Sequence, residues 1–98
     1  MTALQLSPRH RRKLRALAHA LKPTVLIGQG GLSDGVKQAI DAALLDHELI
    51  KVQMRQPEDK NAMANALADA TGSALCGLVG HVLILYRPHP KDPRIVLD

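Results

Sequence analysis

Between Ser7 and Pro23 the chain returns an inward position every third or fourth residue: His10, Leu14, Leu17, Ala18 and Leu21. Ser7-Pro8 supplies an N-cap and a proline in the first turn, and Pro23 stops the run, so this spacing predicts a first helix with its leucines in the core. Thr24–Ile27 reads as a short β-branched strand that ends at Gly28. Ser33 or Asp34 can cap a second helix with Val36, Ile40, Ala43 and Leu44 on one face. Leu49–Arg55 alternates, with Ile50, Val52 and Met54 on one side and Lys51, Gln53 and Arg55 on the other, which predicts a half-buried strand.

Pro57-Glu58-Asp59 opens a third helix, its inward side Met63, Ala66, Leu67 and Ala70 and its C-cap Gly72. Two strands follow, Leu75–Val79 and Val82–Arg87, joined through Gly80-His81 as a two-residue hairpin with glycine first. After Pro88 two further prolines keep the tail, residues 89–98, out of any central strand. The order α-β-α-β-α-β-β predicts an α/β two-layer sandwich: a mixed four-stranded sheet with three helices packed on it. No internal repeat breaks the pattern, and 98 residues fit a single domain spanning 1–98.

Composition narrows this picture. The 46% of apolar residues is nearly all aliphatic, because Phe and Trp are absent and Tyr86 is the one aromatic. The apolar runs are too short to cross a bilayer. The first residues place charge after the apolar positions, the reverse of a signal peptide. Cys76 is the one cysteine, which excludes an intramolecular disulfide and a multi-cysteine zinc site. A cytoplasmic location is the default expectation.

Charge changes the picture more. Residues 1–33 carry Arg9, Arg11, Arg12, Lys13, Arg15 and Lys22 without one acid, whereas in the remainder nine acids outnumber seven Lys and Arg. The whole net charge of +4 therefore belongs to the first third. At ~100° per residue, Arg11, Arg12, Arg15, His19 and Lys22 fall opposite Leu14, Leu17 and Leu21. A charged helix face is ordinarily only a solvated one, but such a face mixes signs, since like charges four apart repel. This one points to a polyanion.

The cationic run leads into "VLIGQGGLSDGV", residues 25–36, with glycines at 28, 30 and 31. The dinucleotide fingerprint would need glycine at Ser33, and the P-loop would need Lys then Ser or Thr after its last glycine, so both fail. What remains is Gly28-Gln29-Gly30-Gly31, a GxxG. Such a loop lets a phosphodiester backbone lie against the protein with no side chain between, although a glycine turn more often serves only to turn the chain. Asp46-His47-Glu48 reads as a helix-to-strand corner. The histidines lack metal-ligand spacing, and Cys76 reads as core. Tyr86 suits either a base or the core. With one aromatic, stacking on several bases is excluded and binding must rest on phosphate and shape.

The segments "LAHALKPTVLIGQGGLSDGV", "HELIKV", "TGS" and "GHVLILYRP", in this order and spacing, resemble the YhbY family, the stand-alone bacterial CRM (chloroplast RNA splicing and ribosome maturation) domains. The resemblance spans roughly residues 4–97. It implies a fold like the C-terminal domain of bacterial translation initiation factor three, and a non-catalytic, monomeric protein that binds precursors of the large ribosomal subunit in their assembly. No cofactor, metal, membrane or small-molecule substrate is implied. Carried over residue by residue, the RNA surface is Gly28, Gln29, Gly30 and Gly31 with Arg11, Arg12, Arg15 and Lys22, and Lys51 and Arg87 fall inside matching blocks. The third helix departs from a charged version of this fold, with Lys60 its one basic residue. The rival readings are a protein-interaction module that docks its basic helix on an acidic partner and, less favoured, a nucleotide-binding enzyme.

Overall fold

Leu49 and Ile50 are neighbours in the chain and both are buried, which a strand achieves only when each of its faces is covered. The computed structural model of the chain, which describes residues 6–28 and 31–97, meets that requirement. Its elements are helix α1 (Pro8–Ala18), strand β1 (Val25–Ile27), helix α2 (Asp34–His47), strand β2 (Leu49–Met54), helix α3 (Lys60–Thr71), and strands β3 (Ala74–Val79) and β4 (Val82–Tyr86). The strands form a mixed sheet in the order β1-β2-β4-β3. β1 runs parallel to β2, as the α2 crossover demands, and the hairpin places β4 antiparallel to both β2 and β3. Gly80 opens the hairpin turn at φ 59°.

One sheet face carries Ile27, Ile50, Val52, Leu83 and Leu85 and packs on Ile40 and Leu44 of α2 and Leu67 of α3. The other carries Leu49, Ala74, Cys76, Ile84 and Tyr86 and packs on Leu14 and Ala18 of α1, joined by Leu6, Ile95 and Leu97. The layering is thus fuller than the two-layer arrangement expected, with α2 and α3 on one face and α1 on the other. The reason lies in β4, where Leu83, Ile84, Leu85 and Tyr86 are apolar in succession, so both faces need a cover. Tyr86 is buried in the second cluster, which excludes it as a stacking platform.

Ser7 caps α1, its Oγ accepting from the His10 N–H at 3.1 Å. The helix ends at Ala18, before Leu21, because Pro23 disfavours helical backbone at Lys22 and the chain must leave early. Leu14 and Ala18, four apart, define the packing line. Leu17 falls to one side of it and is 44% exposed, which overturns its expected place in the core. In α3 the buried side is Ala64, Leu67, Ala68 and Thr71; of the expected Met63, Ala66, Leu67 and Ala70, Leu67 is buried, Met63 packs half-buried against the core, and Ala66 is exposed. Alanine recurs all round this helix, so hydrophobicity alone sets its rotation weakly.

The tail stays outside the sheet, yet it is firmly held. Glu48, at the corner between α2 and β2, is fully buried with φ 63°. Its carboxylate accepts from the backbone N–H groups of His89 at 2.8 Å, Arg94 at 2.9 Å and Ile95 at 3.0 Å. Lys13 of α1 donates to the carbonyl of Val96 at 2.6 Å. Burial raises the Glu48 pKa, but the three backbone donors outweigh it and hold the group below the usual carboxylate range.

Leu14→Ala is expected to cost about 2–5 kcal/mol, and Leu17→Ala less than about 1 kcal/mol, as read by denaturant unfolding. A depressed folded pKa gives stability that is complete above the unfolded value, about 4.3, and lost as pH falls through the folded one. Tm should therefore drop on acidification below about pH 5. Glu48→Gln should lower Tm at neutral pH and flatten part of that acid dependence in a thermal-melt series.

Candidate nucleic-acid interface

β1 ends at Ile27 and the glycine segment turns the chain into α2, which Ser33 caps through a 3.2 Å bond from the Val36 N–H. The Gly31 N–H donates to the Gly28 carbonyl at 3.2 Å, closing a four-residue turn. Gln29 and Gly30 lie outside the described residues. The two flanking glycines have different reasons. Gly31 sits at φ 67°, a left-handed backbone that favours glycine, and a Cβ there would also press the movable Met63 methyl at 2.7 Å. Gly28 is exposed at an ordinary φ, and a Cβ there would meet nothing within 4 Å. Among the described residues nothing requires Gly28 to be glycine.

The basic residues of the first third divide. Arg12 is exposed on α1, as expected. Arg11 and Arg15 do not lie on a free face opposite the core; they flank it, because the packing line runs through Leu14 and Ala18. Arg15 lies along β3, with its Cδ 3.0 Å from where a Gly77 Cβ would stand, and donates to the Cys76 carbonyl at 2.9 Å. Arg11 Nε is buried without a hydrogen-bond partner among the described residues. Lys22, beyond the helix, lines a separate groove with Leu17 and Leu21. Lys51 and Arg87 part company as well. Lys51 is half-buried on the α1 face of β2 and meets Arg15 across a groove shared with His19, Val79 and Val82. Arg87 instead ties the fold together, donating to Asp41 Oδ1 at 2.9 Å, the Asp41 carbonyl at 3.2 Å and the Thr71 carbonyl at 2.6 Å. Its guanidinium is spent on α2 and the end of α3.

Because α1 is short, it leaves the sheet open toward the glycine turn. Leu26 is 63% exposed there, paired in register with Gln53, and Arg55 and His81 border the same surface. These four were not among the expected site residues. The alternation of β2 signals Gln53 and Arg55, but only the register of β1 against β2 brings them beside the turn. No Asp or Glu lines either this surface or the groove at Lys51. Two of the acids are engaged elsewhere: Asp41 pairs with Lys37 at 3.1 Å and with Arg87, and Glu48 with Arg94 at 3.9 Å. Burial raises the Asp41 pKa, and the bonds from Arg87 and Lys37 bring it below its ordinary value. Every ion pair among the described residues uses a cation beyond residue 33, so the basic residues of the first third make none there.

Burial pushes the Cys76 thiol up to about 11, against the pull of Arg11 and Arg15, so it stays protonated and unreactive. Among the described residues no group of three or more His, Cys, Asp or Glu could hold a metal ion, and no helix is long and apolar enough to cross a membrane.

Comparison with known proteins bears on the family and the fold. The family described as the CRS1 / YhbY (CRM) domain matches residues 6–87. A Haemophilus influenzae protein named "RNA-binding protein" is 42% identical over 85 residues, 85% of this chain and 86% of its own length. A Bacillus subtilis protein named "Probable RNA-binding protein YqeI" is 37% identical over 94% of this chain and 98% of its own. The solution structure of a hypothetical Staphylococcus aureus protein superposes with a TM-score of 0.83 at 34% identity, covering 96% of this chain and all of the other.

The two glycines should separate experimentally. Gly31→Ala is expected to destabilise by about 1–3 kcal/mol, from the forced positive φ. Gly28→Ala should stay within about 0.5 kcal/mol of wild type. Thermal denaturation of the two variants is the check.

Proposed function

We propose a function from one premise: this chain belongs to the CRS1 / YhbY (CRM) domain family. On that premise it is a non-catalytic RNA-binding protein that engages precursors of the large ribosomal subunit during their assembly. The Gly28–Gly31 turn lies against the phosphodiester backbone. Arg12, Arg15 and Lys51, with Arg55 beside them, neutralise the neighbouring phosphates across the open half of the sheet.

The observation that carries this reading is Gly28. Where a glycine is free of steric demand from its own protein, its bare backbone suits the close approach of something else, and the basic, acid-free surface beside it favours a polyanion. The names of the relatives support RNA as that polyanion, and the family resemblance supports the large-subunit precursor.

Affinity for single-stranded RNA should be mostly counterion release. With about four phosphates neutralised, log K is expected to fall against log salt with a slope of roughly −3. Gln29→Asp combined with Gly30→Asp should remove most binding in the same titration and shift the protein away from large-subunit precursor fractions in gradients, with circular dichroism unchanged. Tight binding with a slope near zero, or a folded double variant that binds as wild type, would overturn the reading. A cellular partner that survives nuclease treatment would favour a protein-docking role instead.

A further inference from the structure

On its α3 side the glycine turn borders a groove of about 750 Å³, within the range of small-ligand sites. We propose that this groove receives one nucleobase of the bound strand and prefers a base that carries an exocyclic amino group; the proposal rests on the RNA reading above and deepens it.

Gly28 and Gly31 line the groove as well as forming the turn, so a phosphate held against the turn sets its own nucleoside over the opening. The floor is apolar. Ile27 and Met54 are each 2% exposed there, and the half-buried Met63 adds a polarisable thioether that suits a ring face. Ala62 and Ala66, one helical turn apart on α3, keep the wall low and leave room for a planar group. The groove supplies an apolar seat for a base in a chain almost devoid of aromatic residues.

Charge decides which part of a nucleotide enters. Glu58 and Asp59 line the groove together with Arg55, which also borders the sheet surface on the other side of the turn. Asp59 Oδ1 already accepts from the Ala62 N–H at 3.1 Å, so the start of α3 carries a carboxylate of its own where a phosphate would otherwise sit. Ionised carboxylates accept hydrogen bonds and cannot donate them. They repel phosphate and the C4 carbonyl of uracil, and they accept from the C4 amino group of cytosine. The two sides of the turn thus divide the labour, phosphates toward the acid-free sheet surface and a base toward the α3 groove.

Cytosine and uracil differ at one edge while stacking alike, so labelled C8 and U8 RNA octamers are the probe, titrated against the full chain by fluorescence anisotropy. Wild type is expected to bind C8 about tenfold more tightly than U8. Glu58→Gln, whose amide both donates and accepts, should bring the two within about twofold. Ala62→Leu, which fills the groove, should reduce C8 binding to the level of U8 while the salt dependence persists, with circular dichroism confirming the fold. Equal binding of C8 and U8 by wild type, or a preference that survives both variants, overturns the groove while salt-dependent binding keeps the RNA reading intact. Absence of salt-dependent binding to either octamer overturns the RNA reading, and the groove with it.

Discussion

A sheet whose central strands are apolar on both faces must be covered twice, and the other parts of this molecule answer to that constraint. β2 and β4 bury consecutive residues, Leu49 with Ile50 and Leu83 through Tyr86. One face takes α2 and α3. The other has only α1, eleven residues long, and a proline-containing tail. The tail can serve because Glu48 gathers three of its backbone N–H groups on one buried carboxylate, which turns an irregular segment into part of the second core. Burying that carboxylate would be costly alone; with its acceptor sites filled by fixed donors, the charge is satisfied.

The same constraint creates the functional surface. Since Pro23 ends α1 early, the cover is incomplete, and the uncovered half of the sheet exposes Leu26 and Gln53 beside the glycine turn. Arg15 belongs to both regions. Its stem packs tightly on Gly77, 3.0 Å from where a Cβ would stand, and its head reaches the Cys76 carbonyl at the edge of the groove shared with Lys51. A long basic side chain can thus cover apolar sheet with its methylenes while keeping its charge near solvent.

Electrostatics completes the division between scaffold and surface. Asp41 and Glu48 are each engaged by cations or backbone donors from later in the chain, and Arg87 is consumed in joining α2, α3 and β4. Arg12 and Lys22 are left exposed on a surface where nothing neutralises them. An internally paired scaffold with an unpaired basic end suits a protein whose partner supplies the negative charge.

The sequence by itself determined the order of elements, the Ser7 and Ser33 caps, the glycine C-cap and hairpin, and the alternation of β2, because each depends on residues within a few positions of one another. It also determined the charge asymmetry and the GxxG, from which the family resemblance follows. Tertiary structure alone decided the rest. Leu17 looked like core by spacing and proved exposed, because the packing line of α1 is set by the sheet beneath it. Arg87 and Lys51 looked equivalent within their blocks, yet one is spent on Asp41 and Thr71 and the other faces a groove. Glu48 gave no local sign of anchoring a tail more than forty residues later. Gly28 and Gly31 were indistinguishable as letters, and only the backbone angle of the folded turn separated the glycine at positive φ from the one at an ordinary φ. Each of these outcomes depends on the folded chain around a residue, and periodicity carries no information about that.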